Sequence, residues 1–163
     1  MNVRREVSFG VAVHHYRAIL MSECIEGKIT TIENYEPRIN KAKENIQLAG
    51  KEDVITLLEG DATEILKTLP DEEYDFVFMD AAKAQYLNWL EDILRVMKKD
   101  AVLICDNVLQ EGDLVESKFI TRRRDRTIHI RMRDFLYAIK HDDRLETTIV
   151  PIGDGITMSV KKS

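Results

Sequence analysis

Oxygen-bearing side chains recur where short apolar runs stop. Glu33 ends the run 28–33, Asp61 follows the run 54–58, Asp80 ends 74–80, and Asp106 with Asn107 ends 101–106. Asp80, Asp106 and Asn107 offer two carboxylates and an amide oxygen, a hard donor set suited to magnesium or calcium and ill suited to zinc. Magnesium keeps coordination positions for water or substrate, so three protein oxygens are a workable number. An ion there would bind a substrate oxygen, favour its deprotonation and orient it. Lys83, three residues past Asp80, could when neutral take the proton from that oxygen; the plainer alternative is that it pairs with a neighbouring acid. Glu33 stands where an acid accepts hydrogen bonds from a ribose diol, or else it is a solvated loop acid. Asp61 beside the small Ala62 suits an adenine site, the carboxylate accepting from the exocyclic amine. Asp61 could equally cap a helix that starts at Ala62.

The elements that must position these groups alternate along the chain. Runs at residues 6–13, 28–33, 54–58, 74–80, 101–106, 147–152 and 156–161, several rich in Val, Ile and Phe, predict strands bounded by turn residues. Helical patterns separate them. Residues 37–49 open with Pro37 and stop before Gly50, and residues 85–97 place Tyr86, Leu90, Ile93, Leu94 and Met97 on one face. Ile128, Met132, Phe135, Leu136 and Ile139 make a last apolar stripe at helical spacing. Alternation of this kind implies right-handed crossovers and a mostly parallel seven-stranded α/β sheet with helices on both faces. The last two strands, joined by Gly153-Asp154-Gly155, leave no room for a helix and form a C-terminal antiparallel hairpin. We read residues 1–163 as one domain. In such sheets ligands bind beyond the carboxyl ends of the strands, which puts all four acidic strand ends on one rim.

Composition narrows the class. A chain of 163 residues with 44% hydrophobic and 33% charged residues is a globular domain large enough for a real core. A net charge of −5 does not advertise a polyanionic partner as a whole, yet it can hide a local basic patch. Two cysteines, Cys24 and Cys105, do not make a disulfide framework, and both have apolar sequence neighbours, which suits reduced thiols. No apolar run reaches membrane-spanning length, and no long apolar stretch follows Arg4 and Arg5, so no signal peptide or membrane partner is expected. The expected compartment is the cytoplasm.

Four runs carry a resemblance: Gly27 to Glu33 (GKITTIE), Gly60-Asp61-Ala62, Tyr74 to Lys83 (YDFVFMDAAK), and Asp106-Asn107-Val108-Leu109. Together with the hairpin Pro151 to Ile156 (PIGDGI), they resemble the cation-dependent class I S-adenosylmethionine O-methyltransferases, the family of catechol and caffeoyl-CoA methyltransferases, from about Ala18 to Lys162. The resemblance implies a Rossmann-like fold and S-adenosylmethionine as methyl donor. It implies cofactor contacts from Glu33 to the ribose, from Asp61 and Ala62 to adenine, and from Asp80 near the methionine part. It further implies magnesium or a similar divalent cation on Asp80, Asp106 and Asn107, and catalytic roles for Asp80 and for Lys83 as base. A segment crowded with Arg122, Arg123, Arg124, Arg126, Arg131 and Arg133 is similar to the bacterial tRNA 5-hydroxyuridine methyltransferases. The acceptor it implies is the wobble uridine of a tRNA anticodon loop, converted to 5-methoxyuridine. Such arginines can neutralise loop phosphates and stack on unpaired bases, or they form a solvated, salt-bridged helix face. A catechol-like small aromatic hydroxyl is the alternative acceptor, and a homodimer is the assembly the resemblance implies.

Departures from the family pattern define a rival. Relatives carry a turn of the form E-x-G-T-x-x-G-Y-S around the methionine carboxylate. Here the stretch from Glu6 to Arg17 reads EVSFGVAVHHYR, so Gly10 and Tyr16 match only across an insertion. His14 or His15 then replaces the second glycine and Arg17 replaces the serine; a β-carbon at the glycine position would crowd the cofactor. Adjacent histidines in an extended strand point apart, which argues against a metal pair there. Ala84 stands where relatives often have glycine, a mild change, and the helices that precede the first strand in relatives are not in this chain. These changes would suit a non-catalytic methyltransferase-fold module that binds RNA or a partner. A nicotinamide-linked dehydrogenase is disfavoured because no GxGxxG turn is present.

Overall fold

A computed structural model describes residues 9–12, 15–109 and 126–162. Its elements run β1 (Phe9–Ala12), α1 (His15–Ser22), β2 (Ile29–Glu33), α2 (Glu36–Leu48), β3 (Ile55–Glu59), α3 (Ala62–Thr68), β4 (Tyr74–Asp80), α4 (Tyr86–Val96), β5 (Met97–Cys105), α5 (Arg126–His141), β6 (Leu145–Val150) and β7 (Ile156–Lys161). The seven strands form one sheet in the order β3-β2-β1-β4-β5-β7-β6. The first five run parallel, and β7 is antiparallel to both β5 and β6. This is the Rossmann-like architecture with a terminal antiparallel hairpin. The chain steps outward from β1 to β2 and β3, then returns past β1 to β4, so the strand order reverses between β1 and β4. A crevice opens at such a reversal, outside the carboxyl ends of the strands.

Periodicity explains the layers. Tyr86, Trp89, Leu90, Ile93 and Leu94 repeat at helical spacing along α4 and are all buried. They pack with Leu66, Val77, Met79, Leu103, Met132, Phe135 and Ile139 in the main core, where the Tyr86 and Phe135 rings meet edge to face at 5.3 Å. Ile29 and Ile32 lie an odd number of positions apart on β2 and so face opposite sides of the sheet. Ile32 joins the main core, whereas Ile29 packs with Ala18, Ile46 and Ile55 beneath α1 and α2.

Several boundaries differ from the sequence expectation. The strand expected at 6–13 is described only at Phe9–Ala12, and His15 opens α1 instead of continuing an extended strand. β5 begins at Met97, inside the expected helix 85–97, because Met97 pairs with Tyr74 across a register shift that Asp100 accommodates at φ +62. Ile128 is exposed while His129 is buried, so the apolar stripe of α5 begins at Met132. Cys24 is exposed, contrary to its apolar setting in sequence, and Cys105 is buried. Among the described residues no helix is long and apolar enough to cross a membrane.

Candidate active site

Strand register brings the acids together. Ala12 at the end of β1 is opposite Asp80 at the end of β4, and Met79 is opposite Cys105, which places Asp106 one residue beyond. The Asp106 amide donates to the Met79 carbonyl at 3.0 Å, extending the ladder one step past β5. Both carboxylates converge on one atom. Arg17, in the first turn of α1, places its Nη1 against Asp80 Oδ2, an ion pair, and at 2.9 Å from Asp106 Oδ2. Its guanidinium carbon also lies 5.3 Å from the centre of the Phe78 ring, a cation–π distance.

Hydrogen bonds from behind fix these tips. The buried Tyr86 hydroxyl donates to the Met79 carbonyl at 3.0 Å and accepts from the Ala81 amide at 3.3 Å. Burial holds the Tyr86 phenol far above its ordinary pKa, so it stays a donor. Asp106 Oδ1 accepts from the Asn107 amide at 2.8 Å, and Asn107 Nδ2 donates to Asp154 Oδ2 at 2.9 Å, tying the tip of β5 to the terminal hairpin. Asn107 takes a left-handed φ of +55, a conformation asparagine tolerates better than most residues.

Glu33, Asp61 and Ala62 line one cleft of about 200 Å³ with Ile32, Asn34, Arg38, Gly60, Ala81, Ala82 and Trp89. Glu33 is buried; its Oε1 accepts from the Asn34 and Tyr35 amides at 2.9 Å each, and its Oε2 lies 3.6 Å from Arg38. One carboxylate oxygen is thus spent on holding the turn, and the other keeps lone pairs for a ligand. Asp61 Oδ1 accepts from the Thr63 amide at 2.8 Å, so Asp61 does cap α3; a carboxylate has further acceptor capacity beyond that bond. Trp89, legible in the sequence only as part of a helix, closes the cleft wall and donates from its indole nitrogen to Thr63 Oγ1 at 3.0 Å.

The donor set can be tested against a divalent cation. Convergence of Asp80 and Asp106 on one point is what a shared hard ion needs, but Arg17 fills that point; Asn107 meets Asp154 through its Nδ2, not through the amide oxygen an ion would use. Among the described residues no group of three His, Cys, Asp or Glu side chains could hold a metal. As arranged, the residues do not fit a divalent ion. Lys83 opens a short 3-10 turn, Lys83–Gln85, and pairs with no acid among the described residues. Arg122, Arg123 and Arg124 lie outside the described residues, and Arg126 is the first residue of α5. Arg131 donates to the Ala84 carbonyl at 3.2 Å, which sets α5 against the turn that carries Lys83.

Sequence reasoning places Arg17 only as a substitute for a serine. Its partners stand 63 and 89 residues away, so no local spacing points to them. Tyr86 reads as a core residue, and nothing in its spacing discloses the hydroxyl's role. Asp154 reads as turn chemistry alone.

A doubly wound sheet with acids gathered where its strand order reverses is the Rossmann-like arrangement. The O-methyltransferase family model matches residues 1–162, and the chain belongs to that family. It is 37% identical over 123 residues to caffeoyl-CoA O-methyltransferase 1 of Zea mays, covering 69% of this chain and 46% of that protein. It is 30% identical over 136 residues to tapetum-specific methyltransferase 1 of Arabidopsis thaliana, covering 82% of this chain and 58% of that protein. The crystal structure of an O-methyltransferase from Bacillus cereus in complex with SAH superposes with a TM-score of 0.82 at 25% identity, covering 98% of this chain and 74% of that one. The chain therefore spans about half the length of these two plant relatives.

Proposed function

We propose that this chain transfers the methyl group of S-adenosylmethionine to the hydroxyl of a small aromatic or enol-like acceptor. The observation that carries the reading is the cleft that Glu33, Asp61, Ala62, Ala81 and Ala82 share at the strand tips, Ala81 and Ala82 being the chain neighbours of Asp80 and Lys83. The SAH held by the Bacillus cereus relative supports the same cofactor here. Bound there, S-adenosylmethionine supplies an already activated sulfonium methyl. Glu33 accepts from the ribose hydroxyls, Asp61 accepts from the adenine amine, and Ala62 leaves room for the ring. Asp80 faces the methionine end. Lys83, free of acid partners among the described residues, removes the acceptor proton. Holding acceptor and donor in line supplies much of the rate. Magnesium on Asp80, Asp106 and Asn107 would require Arg17 to withdraw, and no step above depends on it.

Caffeoyl-CoA relatives favour a small aromatic acceptor. The second reading, 5-hydroxyuridine at the wobble position of tRNA, is favoured by the arginines from Arg122 to Arg126 and by the packing of α5 on the Lys83 turn. Incubation with labelled S-adenosylmethionine and either catechol or undermodified tRNA tests both. Labelled product from one acceptor selects it. No product from either, with no calorimetric heat from millimolar S-adenosylhomocysteine, overturns the enzymatic reading in favour of a binding module.

A further inference from the structure

We infer that Arg17 is a built-in cation that occupies the position between Asp80 and Asp106 and thereby excludes a divalent metal from it. This rests on the acceptor site lying at these strand tips, as proposed above, but concerns only what charge stands there. One nitrogen, Nη1, meets Oδ2 of both acids, the Asp106 oxygen at 2.9 Å. A magnesium ion on the same two oxygens would need about 2.1 Å to each. Ion and guanidinium therefore cannot occupy this space together.

Three features make the guanidinium a resident. Arg17 projects from the first helical turn after β1, so the backbone delivers it to the sheet's reversal point without a long loop. The Phe78 ring, two residues before Asp80 on β4, lies beneath it. The side chain is only 35% exposed, so water screens the pair less than it would at a free surface. A guanidinium is always charged and binds carboxylates through directed N–H donors. It leaves the two acids with one net negative charge, a much weaker attraction for a divalent ion than the bare pair. Asp106 is anchored from the other side by the Asn107 amide and cannot easily turn away to ligate elsewhere.

Direct Mn²⁺ binding, read by electron paramagnetic resonance of the free ion, tests this without any methyl transfer. Arg17→Ser and the near-isosteric Arg17→Gln each remove the charge, and the second serves if the first fails to fold. Both should bind Mn²⁺ about tenfold or more tightly than the parent chain, because the paired acids lose an internal competitor. Arg17→Lys keeps a cation and should bind as weakly as the parent. Adding Asp80→Asn to Arg17→Ser should abolish the gain. Equal Mn²⁺ binding by the parent and both neutral variants overturns the inference, whether that binding is tight or absent. Calorimetry with S-adenosylhomocysteine on the same samples reports on the cofactor reading separately.

Discussion

Tyr86 and Cys105 are single buried polar groups whose loss is felt by the fold. The Tyr86 hydroxyl joins the Met79 carbonyl to the Ala81 amide on either side of Asp80. Tyr86→Phe leaves the Ala81 amide without this partner, while the Met79 carbonyl keeps its bond from the Asp106 amide, and we expect a loss of about 1–3 kcal/mol in urea denaturation, the usual cost of a stranded buried polar group. An unchanged midpoint would mean that neighbouring groups or water take the hydroxyl's place. Cys105 carries a pH signature. Burial pushes its thiol up to about 12, whereas an unfolded thiol ionises near about 8.5. The folded state therefore keeps a proton that the unfolded chain gives up. That stability is complete below about pH 8.5 and declines as pH rises toward about 12, by at most about 1.4 kcal/mol per pH unit. Cys105→Ala should flatten the fall between about pH 9 and 11 in parallel denaturation series; identical slopes would show that the thiol contributes nothing. Glu33 offers the matching test of ligand binding. Glu33→Gln keeps an acceptor for the turn but removes the charge facing the cleft, so S-adenosylhomocysteine should bind about tenfold more weakly, roughly one charge-assisted hydrogen bond.

At the scale of elements, the terminal hairpin braces the tip of β5. The Val108 amide donates to the Gly155 carbonyl at 2.9 Å and the Leu109 amide to the Asp154 carbonyl at 2.8 Å, while Asp154 holds Asn107. Gly155 has φ +74, and a β-carbon there would overlap Leu109 Cγ and lie 2.8 Å from Leu109 Cβ. Gly155→Ala should therefore lower stability by about 2–4 kcal/mol, combining left-handed backbone strain with overpacking. A melting temperature equal to the parent's would refute the packing argument. This hairpin is legible in the sequence because a three-residue turn between two β-rich runs permits little else. β4 is legible to the residue, since Tyr74 to Asp80 is apolar but for Asp75 near its start and carries an acid at its end. The start of β5 is not, because Lys98, Lys99 and Asp100 interrupt the apolar pattern and only pairing with Tyr74 reveals the strand. α1 is hidden for a related reason: the apolar run 6–13 reads as strand and no N-terminal helix signal precedes His15, where α1 begins. The acids of the site are visible because strand ends mark themselves. Arg17, their partner, is visible only as a departure, since its role depends on contacts across the whole sheet.

At the scale of the whole molecule, charge separates the two acceptors. A net charge of −5 repels a polyanion at long range, so any tRNA affinity must come from local basic groups. The segment holding Arg122, Arg123, Arg124 and Arg126 is the densest such group in the chain. If tRNA is the acceptor, changing these four arginines to alanine should weaken tRNA binding by orders of magnitude at low salt. It should also make the slope of log affinity against log salt shallower, by roughly 0.7 to 0.9 for each phosphate left without its arginine. Turnover of a small catechol should hardly change, because that acceptor carries no phosphate backbone. If the acceptor is a small aromatic hydroxyl, the same variant should leave its kcat/KM intact while tRNA binds the parent weakly, with no modified base formed. Filter binding across a salt series, run beside the labelled-methyl assay, reads both quantities on one pair of proteins. A loss of catechol turnover with unchanged tRNA affinity would overturn the role of these arginines in tRNA binding while leaving the small acceptor in place. It would assign the arginines to holding α5 against the Lys83 turn, where Arg131 already bonds to the Ala84 carbonyl.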